Sequence, residues 1–191
     1  MTEADRCPWC GTDPLYVAYH DHEWGRPERD PRRLFELLCL EGFQAGLSWI
    51  TILRKRQAFR AAFAGFQPET LATWGEPDVI RLLSNPGIVR HRGKIEATLR
   101  GAQAFLLIEG RQGFSAYLWS FTGGRPLRPR RTSMADVPGQ TADSRAMSKA
   151  LRHDGFNFVG PTLTYAFMQA SGMVNDPLST CPCHAAVAAL A

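Results

Sequence analysis

Long apolar runs, alternating strand patterns and internal repeats are all missing from this chain of 191 residues. No stretch approaches the roughly 20 apolar residues that a bilayer crossing needs, so no membrane span is expected. The opening residues Met1–Arg6 are polar and acidic, which argues against a secretory signal and for a cytoplasmic protein. A disulfide framework is poorly supported as well. The five cysteines are an odd number, and Cys7, Cys10, Cys181 and Cys183 crowd the two ends while Cys39 stands apart. In a reducing compartment that distribution leaves metal binding or free thiols open. Period-two alternation is scarce and Thr and Val do not cluster, so strands are not expected.

What is present is the composition of a soluble globular protein, 45% hydrophobic and 21% charged, on a length that suits one domain over residues 1–191. The net charge of +4 is unevenly spread, because residues 79–152 carry 13 Lys/Arg against 4 Asp/Glu. Such a segment is either a phosphate-facing surface or a solvated helical one.

The periodicity is helical almost throughout. Asp13-Pro14 and Asp30-Pro31 are helix starts, with Asp as cap and Pro in the first turn. Leu34, Leu37 and Leu38 then recur at helical spacing, and Ser48–Phe63 carries Ile50, Leu53, Phe59 and Phe63. Further helices are expected at about 68–74, 76–84, 91–109, 113–121, 143–153 and 161–173. The Gly123–Arg131 stretch, rich in Gly, Pro and Arg, is the clearest loop. The expected fold is all-α.

Two constellations carry chemistry. A helix beginning near residue 31 puts Glu41 on the apolar face with Leu34, Leu37 and Leu38. A carboxylate there needs a partner or a task, unless it is the last turn facing solvent or an arginine. Around it fall Trp9, Tyr16, Tyr19, Trp24 and Trp49, either core rings or the π faces of a pocket for a flat, cationic, aminated base. The second constellation is Asn85-Pro86-Gly87-Ile88-Val89-Arg90-His91-Arg92-Gly93-Lys94-Ile95, a turn between two helical segments. Gly87 permits close backbone approach, and free N–H groups with Arg90, Arg92 and Lys94 would make a phosphate seat. An ordinary basic helix connection is the other reading.

Several strings are long and specific. Asp13-Pro14-Leu15-Tyr16-Val17-Ala18-Tyr19-His20-Asp21-His22-Glu23-Trp24-Gly25 resembles the opening signature of the 3-methyladenine DNA glycosylase I family. Leu40-Glu41-Gly42-Phe43-Gln44-Ala45-Gly46-Leu47-Ser48-Trp49, the Ile88–Lys94 turn, Gly155-Phe156-Asn157-Phe158-Val159-Gly160 and Val174-Asn175-Asp176 are similar to other signatures of that family. The resemblance runs from about Cys7 to Cys181. It implies a helix-hairpin-helix glycosylase, with the hairpin region at about 76–109, acting on double-stranded DNA containing alkylated adenine; a monomer is the default expectation for a protein that searches for lesions. It further implies that Glu41 recognises the base, with Tyr19 as its hydrogen-bonding partner. Trp49 would be the stacking wall and Trp9, Tyr16 and Trp24 the pocket lining, with Leu47 an apolar wedge beside the flipped base.

An N3-methylated adenine is a positively charged leaving group, so water can attack the sugar carbon without a strong protein acid. The absence of any Asp between Asp78 and Asp136 agrees with that, and no marked Lys points to a strand-nicking lyase step. A glycosylase of shifted alkylpurine range, or a non-catalytic DNA-binding module, is the alternative. The resemblance also implies a structural zinc joining the terminal segments (about 1–24 and 174–184), remote from the chemistry. Cys7, His20 and Cys181 match three ligands, but the fourth position is Pro177, which cannot ligate. Cys10, Cys183 and His184 are the candidate substitutes, since zinc accepts any Cys/His mixture that reaches a tetrahedron.

Overall fold

A computed structural model of the chain describes residues 6–190. The opening residues Met1–Asp5, read above as free of a signal and as the start of the zinc segment, lie outside that range. Among the described residues the regular structure is helical, with a single isolated bridge between Leu127 and Val174. The expectation of an all-α fold is met.

The Asp-Pro starts act as read. In α1 (Pro14–His22) the Asp13 carboxylate accepts from the N–H groups of Leu15 and Tyr16. In α2 (Pro31–Gln44) Asp30 accepts from Arg32 and Arg33. These contacts satisfy amides that the first helical turn leaves unpaired. After them come α3 (Trp49–Ala62), α4 (Pro68–Leu71), α5 (Glu76–Leu83), α6 (Arg92–Gln112), α7 (Phe114–Ser120), α8 (Ala142–His153), α9 (Pro161–Ala170) and α10 (Pro182–Ala188). The last was not foreseen, because Ala-rich Pro182–Ala188 shows no apolar period. The helix expected to reach residue 173 stops at Ala170. Gly172 turns there with φ +71°, and a Cβ on it would lie 2.4 Å from the Arg26 carbonyl carbon. Only glycine lets the end of α9 cross the 26–27 segment that closely.

The central helix is α2, which packs against α3, α6, α7 and α9. Its buried Leu34, Phe35, Leu38 and Phe43 meet Phe59, Phe63, Phe105, Phe114 and Phe167 in one apolar cluster. A smaller cluster of Cys7, Leu178, Cys181 and Cys183 joins the N-terminal segment to the C-terminal one. The end of α2 therefore emerges beside the seam between the chain ends.

Candidate functional site

At that seam lies a cavity of about 280 Å³ lined by Trp9, Tyr16, Tyr19, Trp24, Glu41 and Trp49, all six of the pocket residues expected from sequence. The shared face of α1 supplies Tyr16 and Tyr19, α2 brings Glu41 and Gln44, and Trp49 opens α3. Trp9 packs edge-on against Tyr16 (5.1 Å between centroids) and Trp24 (4.9 Å), and Tyr19 lies 5.5 Å from Trp49. Only Tyr19 among these rings is fully buried; the others keep a face open, so they are pocket wall rather than core.

Glu41 is 5% exposed and has no hydrogen-bond or ion-pair partner among the described residues. The reading in which it turns to solvent or to an arginine is excluded, and the expected hydrogen bond from Tyr19 is not made in the free protein: the Tyr19 phenol lies near enough to feel the Glu41 charge but does not bond to it. Burial alone pushes its carboxyl up to about 8. Burial also raises the Tyr19 phenol well above its ordinary value, with the Glu41 charge adding to the shift. The indole N–H of Trp49 is likewise buried and unpartnered. The site thus combines flat apolar faces with an acceptor and a donor that no protein group satisfies.

The opposite wall was not legible beforehand. Met134, Val137, Ala166, Gln169 and Asp176 complete the lining. Asp176 is held by Arg131 Nε (3.1 Å), the Tyr165 hydroxyl (2.5 Å) and Gln169 Nε2 (2.7 Å), a fully engaged carboxylate. Val174-Asn175-Asp176 stood out in the sequence only as part of a signature, without a role. Behind Tyr19 and Trp49 opens a larger cleft of about 750 Å³. Two of its arginines are matched, Arg56 with Glu23 and Arg60 with Glu36.

Leu47 caps the turn between α2 and α3. Gly46 takes φ +82°, the Leu47 N–H donates to the Gln44 carbonyl at 2.6 Å, and Gln44 Nε2 returns a bond to the Leu47 carbonyl at 2.6 Å. The result presents an apolar side chain 41% exposed, in the turn between the cavity-lining residues Gln44 and Trp49.

The hairpin residues divide. Arg90 is exposed and free of ion pairs among the described residues, whereas Arg92 is shared between Glu76 (2.9 Å) and Glu96 (3.2 Å). At Gly87 the protein itself approaches closely, since a Cβ there would sit 3.1 Å from Ala58 Cβ, and its N–H is taken by Asn85 Oδ1 at 2.8 Å. One reading needs correcting. Lys94 faces inward, 6% exposed, with Nζ donating to the carbonyls of Phe43 (2.9 Å) and Ala45 (2.6 Å). Those groups end α2, where carbonyls lack intrahelical partners and the dipole is negative, so a cation is drawn there instead of to the surface.

The terminal cysteines also come together. The donor atoms of Cys7, His20 and Cys181 lie within 4.8 Å of one another, and all three residues are buried. His20 Nε2 faces Cys181 Sγ at 3.7 Å, while its Nδ1 lies 2.8 Å from the Asp21 carboxylate. A carboxylate behind one ring nitrogen fixes the tautomer that frees the other for a metal. This donor set fits three positions of a zinc tetrahedron. Cys10 is turned to the carbonyls of Cys7 and Gly11, and Cys183 sits against His20 Nδ1 at 3.9 Å. The expectation that this cluster is remote from the pocket is overturned: Cys7 lines the cavity, and Trp9 packs on His20 at 5.2 Å.

Residues 9–184 match the family described as Methyladenine glycosylase. The chain is 50% identical over 181 residues to DNA-3-methyladenine glycosylase 1 of Escherichia coli strain K12, covering 94% of this chain and 97% of that protein. A crystal structure of a 3-methyladenine DNA glycosylase I superposes with a TM-score of 0.92 at 52% identity, covering 94% of this chain and 99% of that one. The Staphylococcus aureus enzyme, solved to explain 3-methyladenine recognition, gives 0.90 at 40% identity over 93% of this chain and 95% of its own.

Proposed function

Because this chain belongs to the methyladenine glycosylase family, we propose that it is the base-excision enzyme that hydrolyses 3-methyladenine from alkylated DNA. The observation that carries the reading is Glu41, a buried carboxylate without a partner in an aromatic cavity sized for one flat base.

In the free protein Glu41 is held neutral near pH 7 by burial. A cationic base between the rings restores the charged form, because an opposite charge favours the carboxylate. An ordinary adenine brings no such charge, so the pocket selects the lesion by differential interaction with the leaving group. Trp49 supplies the stacking face, Tyr16, Trp9 and Trp24 complete the wall, and the buried Tyr19 phenol stands as the hydrogen-bonding group beside Glu41. Extruding the base costs a few kcal/mol, less when it is damaged and poorly stacked, and Leu47 is the apolar group placed to fill the stack. The positive charge already on the base weakens the glycosidic bond, so water attacks the sugar carbon with no strong acid supplied. No lysine is among the residues lining the cavity, which supports a hydrolytic reaction without a lyase step.

The partner in this reading is double-stranded DNA, with the turn between α5 and α6 as a helix-hairpin-helix element and Arg90 as its available cation. The protein acts as a cytoplasmic monomer. Zinc belongs to the proposal as a structural ion on Cys7, His20 Nε2 and Cys181, tying the segment that carries Trp9 to the one that carries Asp176. Cys10, Cys183 and His184 are the candidates for the position that Pro177 leaves unfilled; the Cys183 sulfur lies on the Nδ1 side of the His20 ring, away from the Nε2 that faces Cys181. Release of free 3-methyladenine from methylated duplex tests the activity. Protein that binds the duplex and releases no base would be a DNA-binding module instead. Metal analysis of protein purified without chelator is expected to find one zinc per chain, and none would remove the ion from the scheme.

A further inference from the structure

The Gly155–Gly160 signature has no part in the pocket, and Lys94 has none at the surface, yet the two meet. Lys94 Nζ closes the last turn of α2 through the carbonyls of Phe43 and Ala45. Those residues lie between Glu41, which selects the base, and Leu47, which stands beside it. Phe158 lies across the same joint. Its ring is 5.8 Å from Lys94 Nζ and 5.9 Å from the His91 ring, and its Cβ and carbonyl flank Gly42. The residue holds φ +54°, a conformation that costs a non-glycine residue energy and persists only where packing over-determines it. His91 caps α6 by accepting from the Lys94 N–H at 3.2 Å, so the first turn of that helix is fixed at the same point. A cation among apolar side chains is costly unless its donors are met. Here two of its three N–H donors are met by carbonyls of the one turn whose placement the chemistry needs.

We propose that Lys94, braced by Phe158, is a positioning residue that locks the Glu41–Leu47 end of α2 to the start of α6, behind the DNA-facing hairpin. The proposal rests on the glycosylase reading. It assigns Lys94 to base extrusion and selection and takes it off the phosphate.

Lys94→Met keeps the length and removes the donors, and Lys94→Arg keeps donors and charge. Three measurements separate the roles: affinity for undamaged duplex as a function of salt, thermal stability, and single-turnover release of 3-methyladenine from methylated duplex at saturating enzyme. With Lys94→Met, release is expected to fall at least tenfold while duplex affinity and its salt slope stay within error. Lys94→Arg should restore release to within threefold of wild type. A salt slope reduced by about one would make Lys94 a phosphate contact and overturn the proposal, as would unchanged release. Parallel loss of stability, binding and release, not rescued by Arg, would make it a fold residue only. If Lys94→Met does not fold, Phe158→Ala carries the test, since that ring is 38% exposed. Release lowered threefold or more at constant salt slope supports the brace, and unchanged release removes it. Wild-type protein that releases no base would instead sink the glycosylase reading.

Discussion

Two carboxylates face the same cavity and are treated oppositely. On one wall Asp176 receives three side-chain donors, from Arg131, Tyr165 and Gln169. On the other, Glu41 receives none and is driven toward neutrality by burial. The engaged group ties the 125–131 loop, α9 and the C-terminal segment into a wall. The unengaged one is a standing cost to the fold, offset only when a ligand brings charge or a donor. In one cavity, the partnered acid ties segments together, and the unpartnered acid is the one the proposal assigns to recognition.

The contrast is most sharply broken at Glu41. Glu41→Gln should lower single-turnover release 100- to 1,000-fold, about 3–4 kcal/mol in the barrier, while duplex affinity stays within threefold. Equal loss of both would place Glu41 with the structural carboxylates. Stability against pH sharpens the same point. The folded Glu41 carboxyl sits at about 8, above its ordinary 4.5, so its contribution is full below pH 4.5 and is lost as pH rises toward 8. Denaturant unfolding at pH 5 and pH 8 should therefore show Glu41→Gln gaining on wild type with rising pH, at up to about 1.4 kcal/mol per unit; a constant difference contradicts the buried neutral acid. At the other wall, Asp176→Asn should cost about 2 kcal/mol in unfolding free energy, because the half-buried Arg131 loses its counter-charge. Stability within 0.5 kcal/mol of wild type would show the network is ornamental. The smallest effect is expected from Tyr165→Phe, which removes one donor of three: about 1 kcal/mol of stability, with release within twofold of wild type in the same assay.

Much of this was legible in the chain, for physical reasons that differ by element. Helix starts at Asp13-Pro14 and Asp30-Pro31 could be read because capping is local chemistry. Glu41 could be singled out because a charge at an apolar phase of a helix is improbable without a use, and its neighbours on α1 share one face by spacing alone. The opposite wall could not be read, since Met134, Val137, Gln169 and Asp176 come from separate segments whose meeting is a tertiary fact. Lys94 was misplaced for a related reason. Its charge was visible, but the negative end of α2, some fifty positions earlier, decides which way it points. The cysteine cluster was half legible: its Cys and His side chains were plain, and its closeness to the pocket followed only from Trp9 packing on His20.

The cavity is lined from Cys7 at one extreme to Asp176 at the other, so it has no local precursor. Synthesis proceeds from the N-terminus, and a domain folds as a unit. The base site therefore cannot form while the last stretch is still inside the ribosome. A nascent or C-terminally truncated chain would have no complete pocket to act with. Competence to cut a glycosidic bond arrives in one late step, when the two ends meet.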